Sequence, residues 1–125
     1  MTRTRGQVEA EISRQMTQFA REHVGRGPEN VRTHIFEDVV FVRLSGVLTP
    51  AERRLAGEPD GARLIKEMRL RLMETSREAL ERLIANATGR GLVSLHTDLS
   101  TRTGEQIAVF VLDGNLEQSL SRSNR

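Results

Sequence analysis

The chain has no cysteine, tryptophan or tyrosine. The lack of cysteine excludes disulfides, thiolate chemistry and Cys-ligated zinc, and is compatible with a reducing compartment. The only aromatics are Phe19, Phe36, Phe41 and Phe110. A core must therefore be built from Leu, Ile, Val and Met, and little surface is left for stacking on bases. No apolar run approaches the roughly eighteen residues of a membrane span. The opening MTRTRGQVEAE has basic residues but no apolar stretch behind them, so it does not read as a signal peptide. If such a chain works at a membrane, it is expected to work through a partner. A charge excess is missing too. Lys and Arg number 19 against 17 Asp and Glu, for a net charge of +2. The pI of about 10.3 reflects many Arg beside many acids rather than a strongly positive field, which disfavours a nucleic-acid partner.

What is present is 125 residues, the size of one ordinary domain. We read residues 1–125 as a single domain, with a core over about 7–113 and a polar, frayed tail over 114–125. Val8, Ile12, Met16, Phe19 and Ala20 recur at helical spacing over about 6–24. VRTHIFED (31–38) and the almost continuously apolar VVFVRLSGVL (39–48) predict two strands joined at Glu37 and Asp38, a turn without the glycine that tight turns prefer. In TPAE, Thr49 can cap a short helix over about 50–56, with Pro50 at its first position and Glu52 completing a capping box. One long helix is expected over about 60–87. Its stripe runs through Ile65, Met68, Leu72, Ala79, Leu83 and Ala87, is widened by Leu64, Leu80 and Ile84, and is interrupted near Thr75 and Ser76. LVSLHTDLS (92–100), a TRTG turn and EQIAVFVLD (105–113) predict a second hairpin.

The two halves echo one another. GRG follows a helix at 25–27 and again at 89–91, and FVRLSG parallels VFVLDG. The expected fold is α+β: a two-layer sandwich of pseudo-duplicated helix-hairpin units (α-β-β-α-α-β-β) around a mostly antiparallel four-stranded sheet. Leu72, Leu83, Val42, Leu44, Val109 and Val111 are expected to be buried. Both central strands carry apolar residues on both faces, more than the helices of one subunit cover, so a homodimer is expected.

The Gly-rich loops invite a phosphate-binding reading, but phosphate sites use helix N-termini and these loops follow C-termini. Gly25 and Gly89 suit left-handed C-caps, with Arg26 and Arg90 complementing the helix dipole. His23 and His34 have no carboxylate at ligand spacing, so no metal site and no cofactor is read. Arg43, inside an apolar strand, is either a rim residue or the anchor of a buried anion or cross-subunit ion pair. SLHTDLSTRTGE (94–105) is the densest polar stretch. On a strand, Ser94, His96, Asp98 and Ser100 share one face, with His96 and Asp98 about 7 Å apart at their Cα atoms. Three readings stand: a plain polar strand and turn, a binding or interface edge, and a base-catalytic pair lacking a nucleophile. His96, Asp98, Ser100, Thr101, Thr103 and Arg43 are the binding or interface candidates, and none is read as catalytic.

The segments GRGPENVRTHI, VRLSGVLTPAERRLA and SLHTDLSTRTGE resemble the MpsC-like family over about residues 7–113. These are small bacterial and archaeal proteins carrying a domain of unknown function and named for a sodium-translocating, membrane-potential-generating system. The resemblance implies association with a membrane complex for cation movement or inorganic-carbon uptake, and it supplies no catalytic residue. Lacking a span, the chain is expected to be a soluble, non-enzymatic accessory or regulatory component. It would be cytoplasmic and peripheral to the inner membrane through a membrane-transport partner. The alternative is a small-ligand-binding or enzymatic domain built on the His96/Asp98 face.

Overall fold

Helix α1, Arg5–His23, starts where Thr4 and Gln7 form a capping box, and its expected stripe of Val8, Ile12, Met16, Phe19 and Ala20 is buried. Gly25 follows with φ 104° and donates to the Ala20 carbonyl at 3.0 Å, as a left-handed cap should. Gly89 performs the same service for a later helix with φ 73°. The two arginines do not serve the helix ends. Arg26 donates to the Leu48 carbonyl at 3.0 Å and Arg90 to that of Asn115 at 3.5 Å. Each side chain ties its loop to a neighbouring segment instead.

The structure, a computed structural model, describes residues 3–121. Strands β1 (Asn30–Phe36) and β2 (Val39–Ser45) form the first hairpin, and β3 (Leu92–Ser100) and β4 (Glu105–Leu112) the second. The sheet order is β1-β2-β4-β3 and every pairing is antiparallel. The apolar central strands of the two halves thus lie side by side, as their parallel sequences suggested. The first turn places Glu37 at φ 54°, and the second uses Gly104 at φ 75°.

Alternation along the strands fixes which side chains meet the helices. Thr33 and Ile35, then Val40, Val42 and Leu44, then Gln106, Ala108, Phe110 and Leu112 point into the core with Leu99. Val109 and Val111 belong to the opposite face and are only half-buried, which corrects the expectation for them. A continuously apolar strand gives no phase, and in β4 the even positions, not the odd ones, face the core.

The long helix is two helices. α2, Pro50–Ala56, has the Thr49–Glu52 capping box and precedes α3, Pro59–Thr75, and α4, Arg77–Thr88. Ser76 separates the last two at φ −97°, ψ 17°. Its N–H still reaches the Leu72 carbonyl at 3.2 Å, so the break is a kink at a Thr-Ser pair of low helix propensity. The buried face runs on across the kink at helical spacing, but it is not the expected stripe. α3 buries Gly61, Ile65, Arg69 and Met73, and α4 buries Leu80, Leu83, Ile84, Ala87 and Thr88. Met68 and Leu64 are 45% and 57% exposed, and Leu72 is half-buried. An arginine on the inward stripe had disguised it.

The tail is ordered as far as the described residues go. α5, Leu116–Ser119, buries Leu116 under an Asn115 cap, and Glu117 pairs with Arg5 at 2.7 Å. The expected fraying is therefore absent over 114–121, and 122–125 lie outside the described residues.

Candidate functional site

α1 lies along β1, and α3 and α4 reach β3, all on the inner face of the sheet. The other face carries the alternate residues. Its centre is apolar: Val39 and Phe41 on β2, Ile107, Val109 and Val111 on β4, all half-buried by their neighbours. No helix among the described residues packs across them. The near-continuous apolar runs of the sequence thus put apolar side chains on a face that no helix among the described residues covers.

The strand register arranges this face in rows. Phe36, Val39, Val111 and Ser94 form one, and His34, Phe41, Val109 and His96 the next. The third runs Arg32, Arg43, Ile107 and Asp98. A bulge between Leu92 and Ser94 leaves Val93 beside the first row, 57% exposed. Phe36, at the other end of that row, is 64% exposed.

The polar candidates border this face. His96, Asp98 and Ser100 share the outward side of β3, as the alternation requires. The Asp98 carboxylate nevertheless turns away from His96. It accepts from the Leu99 N–H at 2.9 Å and from Lys66 Nζ of α3 at 3.1 Å. The Leu99 N–H first, and then Lys66, hold its carboxyl below the usual range. Among the described residues no Asp98–His96 contact forms, so the base-catalytic pair is not assembled. Ser100 and Thr103 are turn-makers: the Ser100 hydroxyl accepts from the Thr103 N–H at 3.3 Å, and the Thr103 hydroxyl from the Glu105 N–H at 3.2 Å. Thr101 occupies the same turn.

Arg43 is exposed, which removes the buried-anion reading, and its guanidinium is bound within the subunit. Nη2 donates to Glu105 at 2.7 Å and Nε at 3.3 Å. Its cross-strand neighbour Arg32 is exposed and has no ion pair among the described residues. Elsewhere, His23 stacks on Phe19 with ring centroids 4.7 Å apart, and His34 leans against Phe41 at 6.4 Å. Among the described residues no group of three or more His, Cys, Asp or Glu converges to hold a metal ion.

The most constrained charge lies away from this face and was not singled out in the sequence. Arg69, 6% exposed, donates Nη2 both to Glu52 and to the Val47 carbonyl at 2.7 Å. It bolts α3 to α2 and to the loop after β2. Its signal was an Arg at helical spacing between Ile65 and Met73.

Fold and face together define a class: a small two-layer α+β protein that leaves one sheet face, apolar in the middle and charged at its borders, uncovered by helices among the described residues. Within it the chain belongs to the MpsC family, whose model, "Na+-translocating membrane potential-generating system (MpsC)", matches residues 4–114. The uncharacterized protein YbcI of Bacillus subtilis (strain 168) is 42% identical over 122 residues, covering 98% of each chain. The uncharacterized protein YrhF of the same strain is 27% identical over 103 residues, covering 78% of this chain and 81% of its own. No solved structure matches the chain.

Proposed function

We propose that the protein is a soluble, non-enzymatic accessory or regulatory component of a membrane cation-translocating or inorganic-carbon uptake system. It acts as a homodimer and meets the membrane, on its cytoplasmic side, through a transport-protein partner. The family name points to a Na+-translocating, membrane-potential-generating system. The observation that carries an interaction role is the uncovered apolar sheet face, whose side chains are those of a contact surface rather than of a solvated one. No helix among the described residues is long and apolar enough to cross a membrane, so within them the contact is made by surface.

The test has two arms. Tagged protein is recovered from native membranes in mild detergent, and sodium-dependent membrane potential is measured in vesicles with and without it. Co-purification of a transport subunit and a diminished potential without the protein are expected. An unchanged potential and no recovered membrane protein would sink the proposal. The ligand-binding alternative is weakened because the Asp98 carboxylate turns to Lys66 and the Leu99 N–H, away from His96, so the two do not form a joint site. Bicarbonate, phosphate and nucleotides are therefore expected to leave the melting temperature unchanged.

A further inference from the structure

The rows of the open face are self-complementary in one orientation. Taken across the sheet, the third row is cationic on β1, through Arg32, and anionic on β3, through Asp98. The first row ends in the exposed Phe36 on β1 and in Ser94 on β3, next to the bulged, exposed Val93. A two-fold axis parallel to the strands, between β2 and β4 and in the plane midway between two facing sheets, exchanges left for right. It keeps each row at its own height. β1 then faces the second copy's β3, and β2 faces its β4. Arg32 meets Asp98, Phe36 meets Ser94, Phe41 meets Val109, and the aliphatic stem of Arg43 lies over Ile107. A two-fold axis across the strands would instead set the Arg32–Arg43 row on Phe36 and Val39, leaving cations against apolar side chains. Edge-to-edge pairing would leave the face uncovered.

We infer that the occupant of this face is a second copy of the chain, packed sheet to sheet about a two-fold axis parallel to the strands, with reciprocal Arg32–Asp98 ion pairs closing its borders. Aligned sheets cross at roughly 30°, and the right-handed twist of each sheet accommodates this crossing. The free guanidinium of Arg32 and the 70% exposed carboxylate of Asp98 are the two border charges with room for such a contact. Each two-fold contact occurs twice, so one substitution acts doubly. The inference rests on the homodimer proposed above and adds its face, its axis and its ion pairs.

Sedimentation equilibrium of Arg32→Asp, Asp98→Arg, the double variant and the wild type tests it, with circular dichroism confirming that each is folded. The wild type should run at twice the 14.1 kDa chain mass at micromolar concentration. Each single variant places like charges together twice and should raise the dimer Kd at least tenfold. The double variant should return to within a few-fold of wild type. Mixing the two single variants should give a heterodimer, because that pairing restores both contacts. Ile107→Lys, in the centre of the face, should dissociate the dimer regardless of the border charges. A monomeric wild type would overturn both this inference and the homodimer beneath it. A dimer indifferent to Ile107→Lys would overturn the face. Single variants that dissociate yet fail to recover on mixing would overturn the axis alone. None of these outcomes bears on whether a membrane protein co-purifies.

Discussion

Arg69 is the residue that tolerates isolation least. Its guanidinium cannot give up its charge, its side chain is 6% exposed, and its Nε has no hydrogen-bond partner among the described residues. Glu52, at 16% exposure, can reach water or take a proton. The pair is therefore asymmetric. Glu52→Ala, which strands the arginine, should cost about 3 kcal/mol in urea denaturation, and Arg69→Met distinctly less. The carboxyl also sets a pH dependence. Burial alone would push Glu52 up, but hydrogen bonds from Arg69 and Thr49 outweigh it and leave the group below its usual value of 4.5. A carboxyl depressed in the folded state adds stability above its unfolded pKa, and that stability is lost as pH falls through the folded one. Stability should thus decline below about pH 4.5, and Glu52→Gln should flatten part of that limb. An equally steep acid limb in the variant would show that Glu52 contributes nothing to it. Glu37 is the opposite kind of residue. Its φ of 54° strains a side chain that a glycine would not have, and its turn contacts to Glu117 are made by its backbone. Glu37→Gly should therefore stabilise the protein by about 0.5–1 kcal/mol, read as a higher melting temperature.

Elements divide by how much of their geometry is local. α1, the Thr49–Glu52 cap, both hairpins and the two glycine stops were legible because each rests on spacing or capping within a few residues. The kink at Ser76, the inward face of α3 and the phase of β4 were not. A low-propensity pair does not say whether a helix bends through it. Arg69 among apolar neighbours reads as solvent until its partner Glu52 is seen 17 residues away. At the candidate site the alternation of His96 and Asp98 was legible, but Lys66 as the partner of Asp98 was not, because that pairing depends on where α3 runs. The contact of α2 with α3 gives a test by sign. A Cβ on Gly61 would stand 2.1 Å from the Leu55 carbonyl oxygen, whereas one on Gly89 would meet nothing within 4 Å. Helix propensity alone would make Gly61→Ala stabilising by roughly 1 kcal/mol. Overpacking should instead make it destabilising by about 2 kcal/mol. Gly89→Ala should lose only about 1 kcal/mol, from its left-handed φ. A more stable Gly61→Ala would mean that α2 does not press on α3 there.

At the scale of the whole molecule, a two-layer fold of this length closes its core on one side of the sheet and leaves the other uncovered by its own helices among the described residues. Val40, Val42, Ala108 and Phe110 are fully enclosed, while Val39, Phe41, Ile107, Val109 and Val111 shield only one another. If the second layer comes from another copy, folding and association are linked by mass action, and the unfolding midpoint must depend on protein concentration. A hundredfold increase in concentration should add about 2.7 kcal/mol per dimer, which amounts to several degrees in melting temperature. Phe41→Glu, on the open face and away from the helices, should remove that dependence. It should also keep the far-ultraviolet circular dichroism of the wild type, because the inner core does not include Phe41. Differential scanning calorimetry over two decades of concentration makes the measurement. A wild-type midpoint that stays fixed over that range would mean that a single copy holds this fold unaided, with its apolar face in water.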